Sequence, residues 1–233
     1  MKSARALALV LVLATLHEHQ AMTDTTAWIA AGTTVAMMLA YEMALLWMQR
    51  RSPATLARSV HANLREEWFA ALSQQQGTEI LAVQTLRNSL MSATMTASTA
   101  ALGLIGSATL LAPSIHSSFG TSDNLARYFT ARLAMDLVLM GVLFASLVCS
   151  AMAVRYYNHA GFILSMPVES AERKRWGPTA VAYLRRAGLL YSWGLRHLLM
   201  VAPLLVFIVY PLAGPVAAAL MVAALFGFDR FQT

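Results

Sequence analysis

Five long apolar runs cross this chain and restrict it to one class of fold. They cover about residues 27–48, 89–112, 129–154, 189–210 and 212–228. A helix rises about 1.5 Å per residue, so each run is close to the length that crosses a bilayer core of about 30 Å. Only 12% of the residues are charged and 58% are hydrophobic, whereas an average soluble domain has about 25% charged residues. The sequence therefore predicts an all-α, polytopic bundle of about five transmembrane helices.

The last two runs are separated by a short segment that breaks a helix. Pro211-Leu-Ala-Gly-Pro215 places two prolines and a glycine within five residues. Proline removes a backbone donor and its ring clashes with the preceding turn. The segment predicts a C-terminal helical hairpin rather than one overlong span.

Lysine and arginine are distributed unevenly between the loops. The loop between the second and third runs, residues 113–126, has none, and neither has the hairpin turn. Most of the basic residues lie instead in the loop after the first run and in the loop after the third run. Basic residues concentrate on the cytoplasmic side of membrane proteins. We therefore expect these two loops and the C-terminus to be cytoplasmic. The basic residues of these two loops are Arg50, Arg51, Arg58, Arg65, Arg87, Arg155, Arg173, Lys174, Arg175, Arg185 and Arg186.

The first basic loop contains an amphipathic pattern. After Ser52-Pro53, a typical helix start, apolar residues recur every four positions and alternate with charged ones. This pattern predicts a basic amphipathic helix that lies along the inner membrane surface. The apolar positions are Leu56, Val60, Leu64, Trp68 and Leu72.

The first 21 residues have three interpretations. Lys2 and Arg5 precede an apolar run at residues 6–16, as in a signal peptide, although His19 makes a poor cleavage site before Ala21. The segment could instead be an extra short helix, or translation could start at Met22. In each case residues 22–233 are expected to form a single transmembrane domain.

Charged residues within the spans are candidate functional residues because a charge in the bilayer is costly. Counted from the outer ends of their spans, Glu42 and Arg196 lie about 22 and 21 Å deep. Matching depth predicts an intramembrane ion pair. The pair could be a structural bridge, or it could form a gate or a proton-linked site.

A second charged pair is predicted near the outer end of the third span. Arg132 and Asp136 are four residues apart and share a helix face, so they can neutralise each other. The alternative is a charged vestibule. His17, Glu18 and His19 are adjacent in sequence and would aim in different directions, and Cys149 is the only cysteine. We therefore expect no metal site and no cofactor.

The second span carries a stripe of small residues along one face. Small side chains let membrane helices approach closely, and hydroxyl groups can form hydrogen bonds across the contact. Alternatively, the hydroxyls could face water along a pore in an oligomer. Arg87 and Asn88 would then stand at its cytoplasmic mouth. The stripe consists of Ser89, Ser92, Thr96, Thr99, Gly103 and Gly106.

Enzymatic and nucleic-acid functions are not expected. The sequence contains no P-loop and no GxGxxG, HExxH, GxSxG or CxxC motif. Its net charge of +6 comes from loops between membrane spans rather than from a soluble basic domain, which argues against a nucleic-acid partner.

Two segments resemble an uncharacterised membrane family, domain of unknown function 599. One runs from Gln84 to Met91 (QTLRNSLM) into the small-residue span, and the other runs from Tyr191 to His197 (YSWGLRH) into the apolar hairpin. The likeness covers roughly residues 22–230. It implies a multi-span helical protein of bacteria or plants, with Arg87, Asn88 and Arg196 at family positions. It implies no activity, substrate or catalytic residue.

These observations leave two functional hypotheses for a protein of the bacterial cytoplasmic (inner) membrane. The first is a homo-oligomeric channel or carrier for a small ion or solute, with Glu42 and Arg196 as a gate. The second is a non-catalytic accessory or scaffold subunit of a larger membrane complex. Besides the lipid bilayer, the expected partner is therefore a second copy of the chain or another membrane protein.

Overall fold

A computed structural model describes residues 2–51, 57–119 and 129–229, and every regular element in them is helical. Five segments of this part of the chain are long and apolar enough to cross a membrane: residues 24–51, 79–113, 131–164, 171–209 and 211–229. The predicted all-α bundle of about five spans is confirmed. In chain order the elements are α1 (Lys2–Arg51), α2 (Ala57–Leu72), α3 (Glu79–Phe119), α4 (Ala131–Leu164), α5 (Ala171–Leu199), α6 (Val201–Val209), a 3-10 turn (Pro211–Ala213) and α7 (Gly214–Asp229).

Most of the helices extend beyond the apolar runs that predicted them. Helix α1 begins at Lys2, so the N-terminal segment and the first span form one helix. Whether that segment is removed as a signal stays a prediction. Helix α3 continues past Pro113 to Phe119. The predicted helix start at Ser52-Pro53 and the C-terminal residues 230–233 lie outside the described residues.

The predicted fourth span is two helices rather than one. Helix α5 ends at Leu199 and α6 begins at Val201. Pro203 lies in the first turn of α6 and cannot donate a hydrogen bond to the carbonyl of Leu199, which interrupts the helix there. At its other end, α5 begins earlier than the apolar run because the Ser170 hydroxyl accepts a hydrogen bond from the Arg173 N–H at 3.1 Å.

The predicted C-terminal hairpin is present. The 3-10 turn at Pro211–Ala213 reverses the chain, and α7 packs back against α6 and α1. Gly214 allows this close return, because a Cβ atom there would lie 2.8 Å from Cδ2 of Phe207 and 2.9 Å from Oγ1 of Thr34. We call this end of the bundle the hairpin end and the opposite end the α2 end.

Two hydrophobic cores fill the bundle, and α4 contributes to both. The hairpin core combines residues of α1, α4, α6 and α7, among them Leu45, Leu143, Phe207 and Leu225. The α2 core combines residues of α2, α3, α4 and α5, among them Phe69, Leu86, Tyr157 and Leu184.

Helix α2 packs on α5 through only part of its apolar surface. Ala62, Phe69 and Leu72 are buried, whereas Leu64 is 59% exposed. The predicted helix is present. Of its predicted apolar positions, Leu72 is buried, Val60 and Trp68 are half-buried and Leu64 is exposed, while Leu56 lies outside the described residues. Its place along the inner membrane surface stays a prediction. Gly77, with φ of 81°, then turns the chain into α3.

Candidate functional site

A buried charge cluster joins α1, α5 and α7. Arg196 donates one hydrogen bond from Nη2 to Oδ1 of Asp229 and another from Nη1 to the Ser192 hydroxyl at 2.6 Å. The hydroxyl of Tyr41 donates to the other carboxylate oxygen of Asp229. The Arg196 and Asp229 side chains are each only 9% exposed. We call these four residues the Arg196 cluster.

The ion pair that the described residues show for Arg196 is with Asp229, and the pair of Glu42 and Arg196 predicted from matching depth stays a prediction. Neighbouring positions on a helix point about 100° apart, and it is Tyr41, 3% exposed, that α1 presents to Asp229. Glu42 lies next to it with both carboxylate oxygens buried.

The same depth argument could have found Asp229. It lies 15 residues along α7 from Gly214, which places it about 22 Å from the hairpin end. That depth matches the depth of Arg196 in its own span. The prediction ended the last span at Phe228 and so counted Asp229 as part of the loop. Tyr41 gave no signal in the sequence beyond its place in an apolar run.

A close contact between α4 and α5 holds Arg196 in position. The Ser146 hydroxyl donates a hydrogen bond to the carbonyl oxygen of Gly194 at 2.7 Å. A Cβ atom at Gly194 would lie 3.2 Å from the backbone nitrogen of Ser150 and 3.3 Å from the carbonyl oxygen of Ser146. Small residues let membrane helices approach this closely. The backbone two residues before Arg196 is thus fixed against α4.

At the hairpin end, a cavity of about 410 Å³ opens between α1, α4 and α6. Its walls include Asp24, Trp28, Arg132 and Phe207. We call it the vestibule. It combines charged and aromatic groups at the mouth of the hairpin core.

The predicted local pair of Arg132 and Asp136 is not an ion pair among the described residues. Arg132 is exposed and lines the vestibule, whereas Asp136 lies on the buried face of α4 and is 9% exposed. The Arg132 side chain borders the cavity, and its charge still acts on the Asp136 carboxyl of the same helix. The local neutralising pair and the charged vestibule both stay predictions.

The small-residue stripe runs along the edge of the contact between α3 and α4. Thr96 is buried, and a Cβ atom at Gly103 would lie 3.1 Å from Cδ2 of Leu143. Ser89 is half-buried, while Ser92, Thr99 and Gly106 are exposed. The hydroxyls of Ser92, Thr96 and Thr99 each donate to the carbonyl four residues earlier, at 3.1, 3.0 and 2.9 Å. Only part of the stripe therefore packs against other helices of the described chain.

The predicted cytoplasmic mouth residues take different places. Arg87 lines a cavity of about 370 Å³ between α3 and α4, together with Asn158 and Ser165. Asn88 is exposed, and its carbonyl accepts the Ser92 hydrogen bond.

The comparison with known families decides what this bundle belongs to. Residues 29–233 match the family described as protein of unknown function, DUF599. The chain is a DUF599 protein. No curated protein and no solved structure matches it. The resemblance drawn from the two sequence segments is confirmed, and the Arg196 cluster lies wholly within the matched residues.

At its α2 end, this DUF599 protein has an open cavity of about 260 Å³ lined by residues of α2, α3, α4 and α5. We call it the α2 cavity. Its walls are mostly apolar, and Arg65, Thr85, Ser89 and Tyr157 contribute the polar groups. Sequence analysis placed Arg65 on the charged face of an amphipathic helix and gave no sign that it lines a cavity.

The described residues of this DUF599 protein contain no set of side chains placed to bind a metal ion. No group of three His, Cys, Asp or Glu side chains converges within the described part of the chain. The chemistry available to the Arg196 cluster is that of charge pairing and hydrogen bonding.

Proposed function

We propose that this protein is a homo-oligomeric carrier or channel for a small ion or solute, with a passage inside each protomer that the Arg196 cluster closes. The observation that carries the proposal is the ion pair buried between three helices of a membrane-spanning bundle. Ionisable groups in the membrane are costly, and by default they mark pathways and relays.

The vestibule and the Arg196 cluster lie one after the other along the axis of α1. Phe207 lines the vestibule and packs beside Gly214 and Thr34. Tyr41 follows Thr34 by seven residues, about 10 Å along the helix axis. A solute that entered the vestibule would meet this apolar constriction first and the charge cluster next.

Opening the passage would require α7 to move away from α1 and α5. That movement breaks the hydrogen bonds that Asp229 makes with Tyr41 and Arg196. The interruption between α5 and α6 at Met200, before Pro203, supplies a point at which the helix can bend. An anion or a proton that competes for Arg196 or Asp229 would favour the open arrangement.

The hydrogen bonds of α3 agree better with a passage inside each protomer than with a pore along the axis of an oligomer. The exposed hydroxyls of Ser92 and Thr99 are already bonded to their own helix. With Gly106 they form a row of small side chains at seven-residue spacing on the perimeter of the bundle. Such a row suits helix packing between protomers.

The accessory-subunit hypothesis remains the second candidate, and the same row favours it. The exposed part of α3 also carries Met91, Met95 and Leu102, so a helix of another membrane protein could pack there. In that case the Arg196 cluster is a structural bridge, and no solute crosses the protein.

Flux measurements on the purified protein in lipid vesicles separate the two functions. We expect flux of at least one common monovalent ion or of protons, altered by Asp229→Asn and by Tyr41→Phe. Glu172→Gln makes the same carboxylate-to-amide change at an exposed position of α5 and should leave flux unchanged. A parent protein without flux for any ion tested would refute the carrier and favour the accessory subunit.

A further inference from the structure

We infer that the α2 cavity binds an anionic phospholipid, with the headgroup phosphate on Arg65 and the start of an acyl chain along the apolar wall. This site is separate from the Arg196 cluster, and the inference does not depend on transport.

The walls of the α2 cavity suit an amphiphile. Leu64 and Trp68 come from α2, Leu86 from α3 and Leu184 from α5. Binding cavities for organic molecules are commonly lined by apolar side chains with a few polar groups that fix orientation. Leu64 is 59% exposed, so the cavity is bordered by a side chain that can face lipid.

Arg65 is the charged group of this cavity, and the fold makes room for its guanidinium. The side chain is half-buried, and its Nη1 and Cζ atoms occupy the space that a Cβ atom would take at Gly188 of α5. Any larger residue at position 188 would displace the guanidinium. The cationic end of Arg65 is therefore seated on α5 rather than extended into solvent.

Among the described residues, Arg65 forms neither an ion pair nor a hydrogen bond through its guanidinium. Its sequence neighbours Glu66 and Glu67 are exposed. A half-buried guanidinium without an anion has N–H donors that lack a hydrogen-bond partner, which costs free energy. Tyr157, 3% exposed, lies near enough for the Arg65 charge to act on its hydroxyl. An anion at this position would gain a guanidinium and a hydroxyl donor together.

The chemistry of one guanidinium beside an apolar wall selects a phosphodiester. Arginine presents a planar fork of donors that matches two phosphate oxygens. A phosphodiester carries one negative charge, which one guanidinium balances. A small soluble phosphate ester would leave the apolar wall without contact.

The position of the cavity supports a lipid as the ligand. Amphipathic helices with basic and tryptophan side chains lie at the headgroup level of a membrane, and α2 supplies Arg65 and Trp68. Basic pockets between transmembrane helices on the cytoplasmic side are typical sites for phosphate headgroups. Arg185 and Arg186 are exposed on α5, the helix that carries Gly188, and add positive charge.

The test is lipid binding to the delipidated full chain in neutral detergent, followed by native mass spectrometry. We expect phosphatidylglycerol to bind about tenfold more tightly than zwitterionic phosphatidylcholine, because the trimethylammonium group of phosphatidylcholine offsets the charge of its phosphate and weakens the attraction to Arg65. Arg65→Gln should abolish this preference, and Arg65→Lys should restore only part of it. Arg175→Gln, which neutralises an exposed arginine of α5 that does not line the α2 cavity, should leave the preference unchanged.

A second variant protects the test from a folding artefact. Ser89→Leu fills the cavity from α3 without changing Arg65, and it should weaken phosphatidylglycerol binding while the unfolding temperature stays near that of the parent. Equal binding of phosphatidylglycerol by the parent and by Arg65→Gln would overturn the proposal. Glycerol phosphate binding as tightly as the lipid would also overturn it, because the apolar wall would then contribute nothing.

Discussion

Two arginines, one in each half of the bundle, show opposite solutions to the problem of a charge in a membrane protein. Arg196 at the hairpin core is paired with Asp229 and bonded to Ser192, with both charges buried. Arg65 at the α2 core is seated against Gly188 beside an apolar cavity, with no carboxylate among the described residues as its partner. The first charge is satisfied within the chain, and the second is the one that we propose binds a lipid phosphate. The comparison predicts that the two regions respond differently to the same kinds of substitution.

The largest effect is expected when the Arg196–Asp229 pair is broken from one side. Arg196→Gln or Asp229→Asn should each lower the free energy of unfolding by about 3–5 kcal/mol, because a lone buried charge remains. The double variant should recover part of that loss. Unfolding in detergent, followed by circular dichroism, measures all three. Strictly additive losses would mean that the two side chains do not stabilise each other.

The next contrast is between two glycines of α5. Gly194→Ala should cost about 1–3 kcal/mol, since the added methyl group meets the backbone of Ser150 and Ser146, which cannot move away easily. Gly188→Ala places a methyl group against the flexible end of Arg65, which can swing aside. It should change stability by less than about 0.5 kcal/mol. Equal losses in the two variants would show that Arg65 is held as rigidly as the helix backbone.

Tyr41→Phe should have an intermediate effect. It removes one hydrogen bond to Asp229 while the aromatic ring remains in the hairpin core. The expected loss is about 1 kcal/mol, which is typical of a single hydrogen bond. The same unfolding assay detects it. A loss as large as that of Asp229→Asn would mean that the hydroxyl, rather than Arg196, is the main partner of the carboxylate.

The smallest effect on stability is expected for Arg65→Gln. Because Arg65 makes no ion pair within the described residues, its neutralisation in lipid-free detergent should change the unfolding free energy by no more than about 0.5 kcal/mol. Added phosphatidylglycerol should raise the unfolding temperature of the parent but not of this variant. A large loss of unfolding free energy without lipid would mean that Arg65, like Arg196, stabilises the fold through contacts within the protein.

The sequence predicted the parts of this fold that depend on composition along one helix. Run length gave the spans, and the two prolines around Pro211–Pro215 gave the hairpin. Pairing between helices was harder, because depth alone allows several partners. Depth allows Arg196 to meet either Glu42 or Asp229, and the packing of α7 against α1 brings Asp229 to Arg196.

The α2 cavity shows a different limit of sequence analysis. Periodicity indicates which residues share a face of α2, but not which neighbouring helix covers that face. Arg65 belongs to the charged side of the pattern, yet Gly188, more than one hundred positions later in the chain, brings its guanidinium against α5. A glycine at the start of an apolar run gives no sign that it accommodates a distant arginine.

The packing of α1 against α7 has a consequence for biosynthesis. During translation α1 enters the membrane first among the helices, while the helix that it packs against most extensively emerges after α2–α6. Until then Tyr41 lacks its acceptor and Arg196 lacks its counter-ion. The nascent bundle therefore carries an uncompensated charge until Asp229 arrives. A ribosome that stalled before α7 would leave an assembly that membrane quality control can distinguish from the finished one.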